Sequence, residues 1–197
     1  MRKDEQARRQ IVRKAAELFN QKGYAASSIQ DIMDTTGLTK GGLYRRFANK
    51  DEIALEAFEY AGELLLEQLK KAIAEARSAT DKIMAICGVH ADPVHNPPLK
   101  GGCPLLNAAV ESDDTFPELR DKALTAYEIM LGLVRRILDE GIANGEFGNE
   151  LDAESMASFI VSALEGSVMA SGLTRDAKHV GFMMRQVRQL LDSYAAK

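Results

Sequence analysis

Apolar side chains recur along this chain at steps of three and four from one end to the other. No stretch alternates apolar with polar residues or concentrates β-branched ones as a strand does, so the pattern predicts an all-α fold. Over residues 5–22, Ile11, Ala15, Leu18 and Phe19 share one face of a helix that ends before Gly23. Ser27 and Ser28 precede Gln30 and Asp31 by three residues, the spacing of a reciprocal cap, and open a second helix with Ile29, Ile32 and Met33 inward. That helix stops at Thr36-Gly37-Leu38, and Thr39 caps a third running to about Phe47, with Leu43 and Phe47 as its inner edge. A long helix follows from Asn49 or Lys50 to about Arg77, and another from about Thr80 to Ala91. Asp92 to Gly102 holds three of the five prolines and two glycines and reads as a loop. Helical text resumes at Pro104, restarts at Phe116-Pro117 for a long helix ending near Asn144-Gly145, and closes with helices at about 152–172 and 176–195.

The second and third helices, joined by a short glycine-containing turn, have the make-up of a helix-turn-helix. Gly37 suits the left-handed backbone that a sharp turn needs, and Leu38 plugs the angle between the helices. The third helix then exposes Thr39, Lys40, Gly41, Gly42, Tyr44, Arg45 and Arg46. Glycine inside a helix costs about 1 kcal/mol relative to alanine, so the pair at 41 and 42 calls for a functional reason. Without side chains there, the backbone approaches a groove edge or a phosphate closely. Tyr44 offers a hydroxyl to a phosphate, and Arg45 is placed for bidentate contact with guanine.

Charge changes the picture in the same direction. The net charge of −4 hides an uneven distribution: residues 1–50 hold eleven Lys/Arg against five Asp/Glu, a net of +6, whereas 51–197 hold fourteen against twenty-four, a net of −10. A basic head on an acidic body is what a chain needs when only its head faces phosphates.

The run from Ala15 to Ile53, with Gly23-Tyr24, Ser28-Ile29, Asp31-Ile32, Gly37-Leu38, Lys40-Gly41, Leu43-Tyr44, Phe47 and Lys50, resembles the DNA-binding domain of the TetR family of repressors. The resemblance implies a DNA-binding domain at 1–50 and a helical ligand-binding and dimerisation domain at 51–197. It also implies a homodimer on double-stranded operator DNA with two half-sites, released by a small-molecule effector. Ser28, Thr39, Lys40, Gly41, Gly42, Tyr44, Arg45, Arg46 and Lys50 are the candidate DNA contacts, with Lys50 placed to reach a phosphate. Arg45-Arg46 stands where many members carry aromatic or histidine residues after the tyrosine, which bears on base preference.

Further along, Met156, Ile160, Leu164 and Val168, then Val180, Met183, Val187, Leu190 and Tyr194, form apolar stripes among small residues. Such stripes suit an intrachain core and a four-helix dimer seam equally; the resemblance favours the seam. Apolar helices with isolated polar or polarisable groups make Met84, Cys87, His90, Cys103, Leu106, Asn107, Val110, Tyr127, Met130 and Glu165 the candidate effector lining.

Cys87, His90, His95 and Cys103 lie within seventeen positions but lack the spacing of common zinc sites, so no metal or cofactor is expected. Gly101-Gly102-Cys103-Pro104 could present a thiol near a helix start, an electrophile-sensing alternative. A Cys103/His90 hydrolase lacks an orienting third group, and no enzyme is expected. Two cysteines are too few for a disulfide framework, the charged first twenty residues exclude a signal peptide, and no eighteen apolar residues run together; a cytoplasmic protein without membrane spans is expected.

Overall fold

The computed structural model describes residues 3–112 and 115–196. Among them nine helices make up the regular structure: α1 (Lys3–Lys22), α2 (Ile29–Thr36), α3 (Lys40–Tyr44), α4 (Lys50–Ala74), α5 (Ala79–Gly88), α6 (Pro104–Ser112), α7 (Pro117–Ala143), α8 (Ala153–Thr174) and α9 (Lys178–Ser193). The only extended pairing among the described residues is an isolated antiparallel bridge between Phe147 and Ala195. Every helix read from periodicity is present. The third is shorter than its pattern suggests, ending at Tyr44 rather than near Phe47, because the amides of Arg46 and Phe47 both fold back onto the Leu43 carbonyl. That tightening still carries Phe47 inward, where it is 2% exposed.

Two compact units form. The first comprises Met1–Leu65 and Leu99–Ala126, the second Leu66–Pro98 and Tyr127–Lys197. Packing therefore does not divide the chain at residue 50. Ile53, Ala54, Ala57 and Phe58 from α4, Ala108 from α6, and Leu119 and Ala123 from α7 are buried in one cluster with Phe19, Ile32, Leu43 and Phe47. Removing these apolar surfaces from water is worth about 1.5–3 kcal/mol for each large side chain, which a head of three short helices could not gather alone. Phe19 and Tyr24 stack within this cluster, ring centroids 5.2 Å apart.

In the second unit α8 packs along α9, which also meets α5. Its core includes Ile83, Ile86, Leu138, Ile160, Leu164, Val180, Val187 and Leu191. The Glu146 carboxylate accepts the amides of Ala79 at 2.6 Å and Thr80 at 2.8 Å, tying the turn after α7 to the start of α5. Burial disfavours that charge, but the two amides outweigh it and hold the carboxyl below its ordinary range. By length and composition α8 alone among the described helices is apolar enough to cross a membrane. Nine of its residues, from Ala153 to Ser171, are buried inside the protein, as in a core helix.

Candidate nucleic-acid interface

Local chemistry builds the helix-turn-helix. Ser28 has an extended backbone and starts α2: its hydroxyl accepts the Asp31 amide at 3.2 Å, while the Asp31 carboxylate accepts the Ser28 amide at 2.7 Å. Lys22, 2.6 Å away, pairs with the same carboxylate. Lys22 first, then the Ser28 hydroxyl and amide, hold Asp31 far below the usual carboxylate range. Gly37 ends α2 at φ 77°, ψ 17°, the left-handed conformation expected of it, and its amide reaches the Met33 carbonyl at 2.8 Å. Thr39 caps α3 by accepting the Gly42 amide at 3.2 Å. Leu43 is the single buried residue of α3 and anchors it.

Ser28, Thr39, Lys40, Gly41, Tyr44 and Arg45 face solvent, and Gly42 is half-buried. The Lys40 ammonium lies 6.0 Å above the Tyr44 ring. A Cβ at Gly41 would meet nothing within 4 Å, and at Gly42 nothing nearer than the Thr39 hydroxyl at 3.4 Å. The chain itself has no steric need for glycine at either position.

Two expected DNA contacts face elsewhere. Arg46 is only 19% exposed at its side chain: it pairs with Asp4 at 2.9 Å and donates to the Gly42 carbonyl at 3.0 Å. The tightened end of α3 turns this guanidinium toward α1 instead of the groove side. Arg8 completes the fastening, donating to the Arg46 carbonyl and to Glu52 and Glu56 while stacking 4.1 Å above the Phe47 ring. Lys50 donates to the carbonyls of Tyr24 at 2.8 Å and Ser27 at 2.9 Å, so its ammonium closes the α1–α2 connection rather than pointing outward to a phosphate.

Residues 11–57 match the family of bacterial regulatory proteins named for tetR, and residues 79–187, more than half the chain, match the tetracyclin repressor-like C-terminal domain. The chain belongs to the TetR family. It is a helix-turn-helix transcriptional regulator. A solved TetR transcriptional regulator from Chloroflexus aurantiacus J-10-FL is 38% identical, with 99% of this chain and 98% of that one covered at a TM-score of 0.94. The uncharacterized HTH-type transcriptional regulator YxaF of Bacillus subtilis (strain 168) is 25% identical over 94% of this chain and 95% of its own length. At the level of fold alone, a cysteine mutant of the TetR family regulator CifR, solved with 26-base-pair double-strand operator DNA, aligns at a TM-score of 0.83 with 17% identity over 92% of this chain and 94% of that one.

In this TetR-family chain the candidate effector residues separate between the units. Met84, Cys87, His90, Tyr127, Met130 and Glu165 belong to the second, and Cys103, Leu106, Asn107 and Val110 to the first. His90 is 3% exposed, its Nδ1 finds no partner, and burial lowers its pKa to about 4. Burial also raises the Cys87 thiol to about 12. Three of the first-unit candidates lie as follows. Val110 is 73% exposed and lines no interior. The Asn107 amide donates to the carbonyl and side-chain oxygens of Asn20 and to the Gly101 carbonyl, at 2.9–3.1 Å. Cys103 is not presented by its glycine turn: Gly101 and Gly102, at φ 105° and 97°, fold the turn over Asn20 and leave the cysteine 2% exposed. His95 pairs with Asp92 at 3.1 Å, and no three potential metal ligands gather among the described residues.

The stripes read as a seam point into the protomer. Met156, Ile160, Leu164, Val168, Val180, Met183 and Val187 are all buried, with Leu190 and Tyr194 half-buried. What α8 leaves outside is a second apolar row, Phe159, Met169 and Leu173 at 49, 57 and 82% exposure, with Gly166 between; on α9, Phe182 is 48% exposed.

Sequence reasoning passed over Asn20 and Glu111. Asn20 is 5% exposed and donates to the carbonyls of Lys100 at 2.9 Å and Gly102 at 3.0 Å. Glu111 accepts the amides of Tyr24 and Ala25. An asparagine in the last turn of an amphipathic helix, opposite a Gly-Gly pair, was the available signal for the first; none marked the second.

Proposed function

We propose that this regulator is a cytoplasmic homodimeric repressor that holds operator DNA through α3 and releases it when a small molecule enters the second unit. The observation that carries the reading is the outward face of α3. Lys40, Tyr44 and Arg45 stand beside a glycine whose missing side chain answers no need inside the protein. A tolerated loss of about 1 kcal/mol of helix propensity at an open position is accounted for by close approach of an external surface, and the cations around it suit a phosphate-lined groove. Arg45 then reads bases, and Ser28, Thr39, Lys40 and Tyr44 position the head on the backbone, Arg46 and Lys50 serving the scaffold.

Dimerisation is supported by the exposed row Phe159, Met169 and Leu173 on α8. Its fitting occupant is the same row of a second copy, with Gly166 allowing two helices to approach closely. An effector site in the second unit is supported by polar groups without partners amid apolar surroundings, the Nδ1 of His90 and the hydroxyl of fully buried Ser171. Selection of duplexes from a random library by the full chain tests the core of this reading, and a metabolite screen for raised melting temperature and released duplex tests the effector arm. Enrichment of a two-half-site sequence is expected; a chain that enriches no sequence is not a DNA-binding repressor.

A further inference from the structure

Two elements outside the helix-turn-helix grip the short connection that aims it. α1 ends at Lys22, Gly23 follows it at φ 92°, and residues 23–28 lead into α2. From α6, one oxygen of the Glu111 carboxylate accepts two successive amides of this connection, Tyr24 at 2.7 Å and Ala25 at 3.1 Å. From α4, the Lys50 ammonium takes the carbonyls of Tyr24 and Ser27. Tyr24 is thus held at its N–H by an anion and at its C=O by a cation, and its ring is fixed against Phe19. Asn107 lies four residues before Glu111, on the same face of α6, and bonds to Asn20 in the last turn of α1. That face follows α1 through its end and into the connection. An added Cβ at Gly101 would collide with the backbone carbonyl of Asn20, and one at Gly23 would displace the end of the Glu111 side chain.

The geometry points to Glu111 as a positioning residue for operator recognition, setting from α6 the orientation in which α2 and α3 are presented. This rests on the DNA-binding reading and goes beyond it by naming a residue outside the motif, on a helix the motif does not contain. Charge-assisted hydrogen bonds are shorter and more directional than neutral ones, so a carboxylate across two amides fixes an angle as well as a distance. The bland alternative is that Glu111 only adds stability, and the two roles differ in what they do to half-site geometry. A dimer with rigidly aimed heads prefers one half-site spacing; loosened heads tolerate several and bind each less well.

The probe is the duplex enriched by the wild-type full chain, together with versions in which one or two base pairs are inserted or removed between the half-sites. Affinities are read by fluorescence anisotropy at one salt concentration, with circular dichroism and melting temperature recorded in parallel. Glu111→Ala is expected to bind the preferred spacing at least about tenfold more weakly and to discriminate among spacings by no more than about threefold. Glu111→Gln, whose amide oxygen still accepts both N–H groups, is expected to restore the spacing preference and most of the affinity. Should Glu111→Ala fold poorly, a spacing profile for Glu111→Gln as flat as a non-specific duplex would overturn the proposal, and a wild-type profile would sustain it. A folded Glu111→Ala with the wild-type spacing profile overturns it while leaving the DNA-binding reading intact. A wild-type chain that enriches no duplex removes both.

Discussion

The two units of this regulator differ in how much directional polar contact accompanies their apolar burial. In the first, directional polar contacts fix the helices on their small apolar core: Arg8 on Glu52 and Glu56, Lys22 on Asp31, Lys50 and Glu111 on the α1–α2 connection, and Asn20 with Asn107. In the second, α8 packs along α9 with Ile160, Leu164, Val168, Val180, Met183 and Val187 buried, while buried polar atoms on His90 and Ser171 have no hydrogen-bond partner. Apolar burial is non-directional and tolerates rearrangement, whereas a network of charged hydrogen bonds specifies one geometry. The region that carries the helix-turn-helix is thus specified by angle, and the other by surface.

The largest effect should come from the second unit's outer row. Gly166→Arg falls at an exposed position where an added Cβ meets nothing within 4 Å, so the protomer should fold and melt much as before. The dimer should dissociate on sedimentation, and operator affinity should fall by about 10²–10⁴-fold as the second half-site contact is lost. A Gly166→Arg chain that still sediments as a dimer would place the seam elsewhere and break the contrast.

His90 sharpens the claim that the second interior is apolar. Its folded pKa of about 4 lies below the ordinary value of 6.5, so between those pH values the unfolded chain takes up a proton that the folded chain refuses. Stability is unaffected above pH 6.5 and declines as pH falls toward 4, by up to about 3 kcal/mol from this group. Denaturant titrations of wild type and His90→Leu across that window should diverge in slope; parallel curves would mean that His90 has a partner or water.

Within the first unit, Arg45 and Arg46 test whether outward and inward cations divide as the structure places them. Arg45→Ala should cost about 1–3 kcal/mol on the preferred operator and much less on one altered at the base pair it reads. Arg46→Ala should instead lower the melting temperature and weaken all duplexes alike. If the patterns are exchanged, the assignment of the recognition face is wrong. The smallest effect belongs to the local cap: Ser28→Ala should destabilise the first unit by about 1 kcal/mol, read from urea unfolding, through loss of the bond to the Asp31 amide. No change would mean that Lys22 and tertiary packing, rather than the cap, start α2.

What the sequence disclosed follows from how far apart the determinants lie. Ser28 with Asp31, Gly37 after Thr36, and Thr39 before Gly42 act within four residues, and each is found as its spacing suggests. Lys50 and Arg46 were legible as cations of the head but not in their direction, because their partners Tyr24, Ser27 and Asp4 are remote in sequence. On α9 the apolar side was plain, and Val180, Met183 and Val187 are indeed inward. α8 is apolar on both sides, so periodicity could not say which row, Ile160-Leu164-Val168 or Phe159-Met169-Leu173, faces its own chain; the tertiary partner decides. Glu111 joins residues eighty-seven positions apart from Tyr24, beyond any local pattern.

The single inward anchor of α3 has a consequence for the history of such a protein. Only Leu43 ties the helix to the core, and Thr39, Lys40, Gly41, Tyr44 and Arg45 owe the fold nearly nothing beyond a cap. Mutations at those positions, the cap Thr39 apart, should leave expression and melting temperature almost untouched while changing which duplexes are bound. A duplicated copy of the gene could therefore acquire a new operator in single steps, each passing through a folded intermediate, without waiting for compensating changes elsewhere.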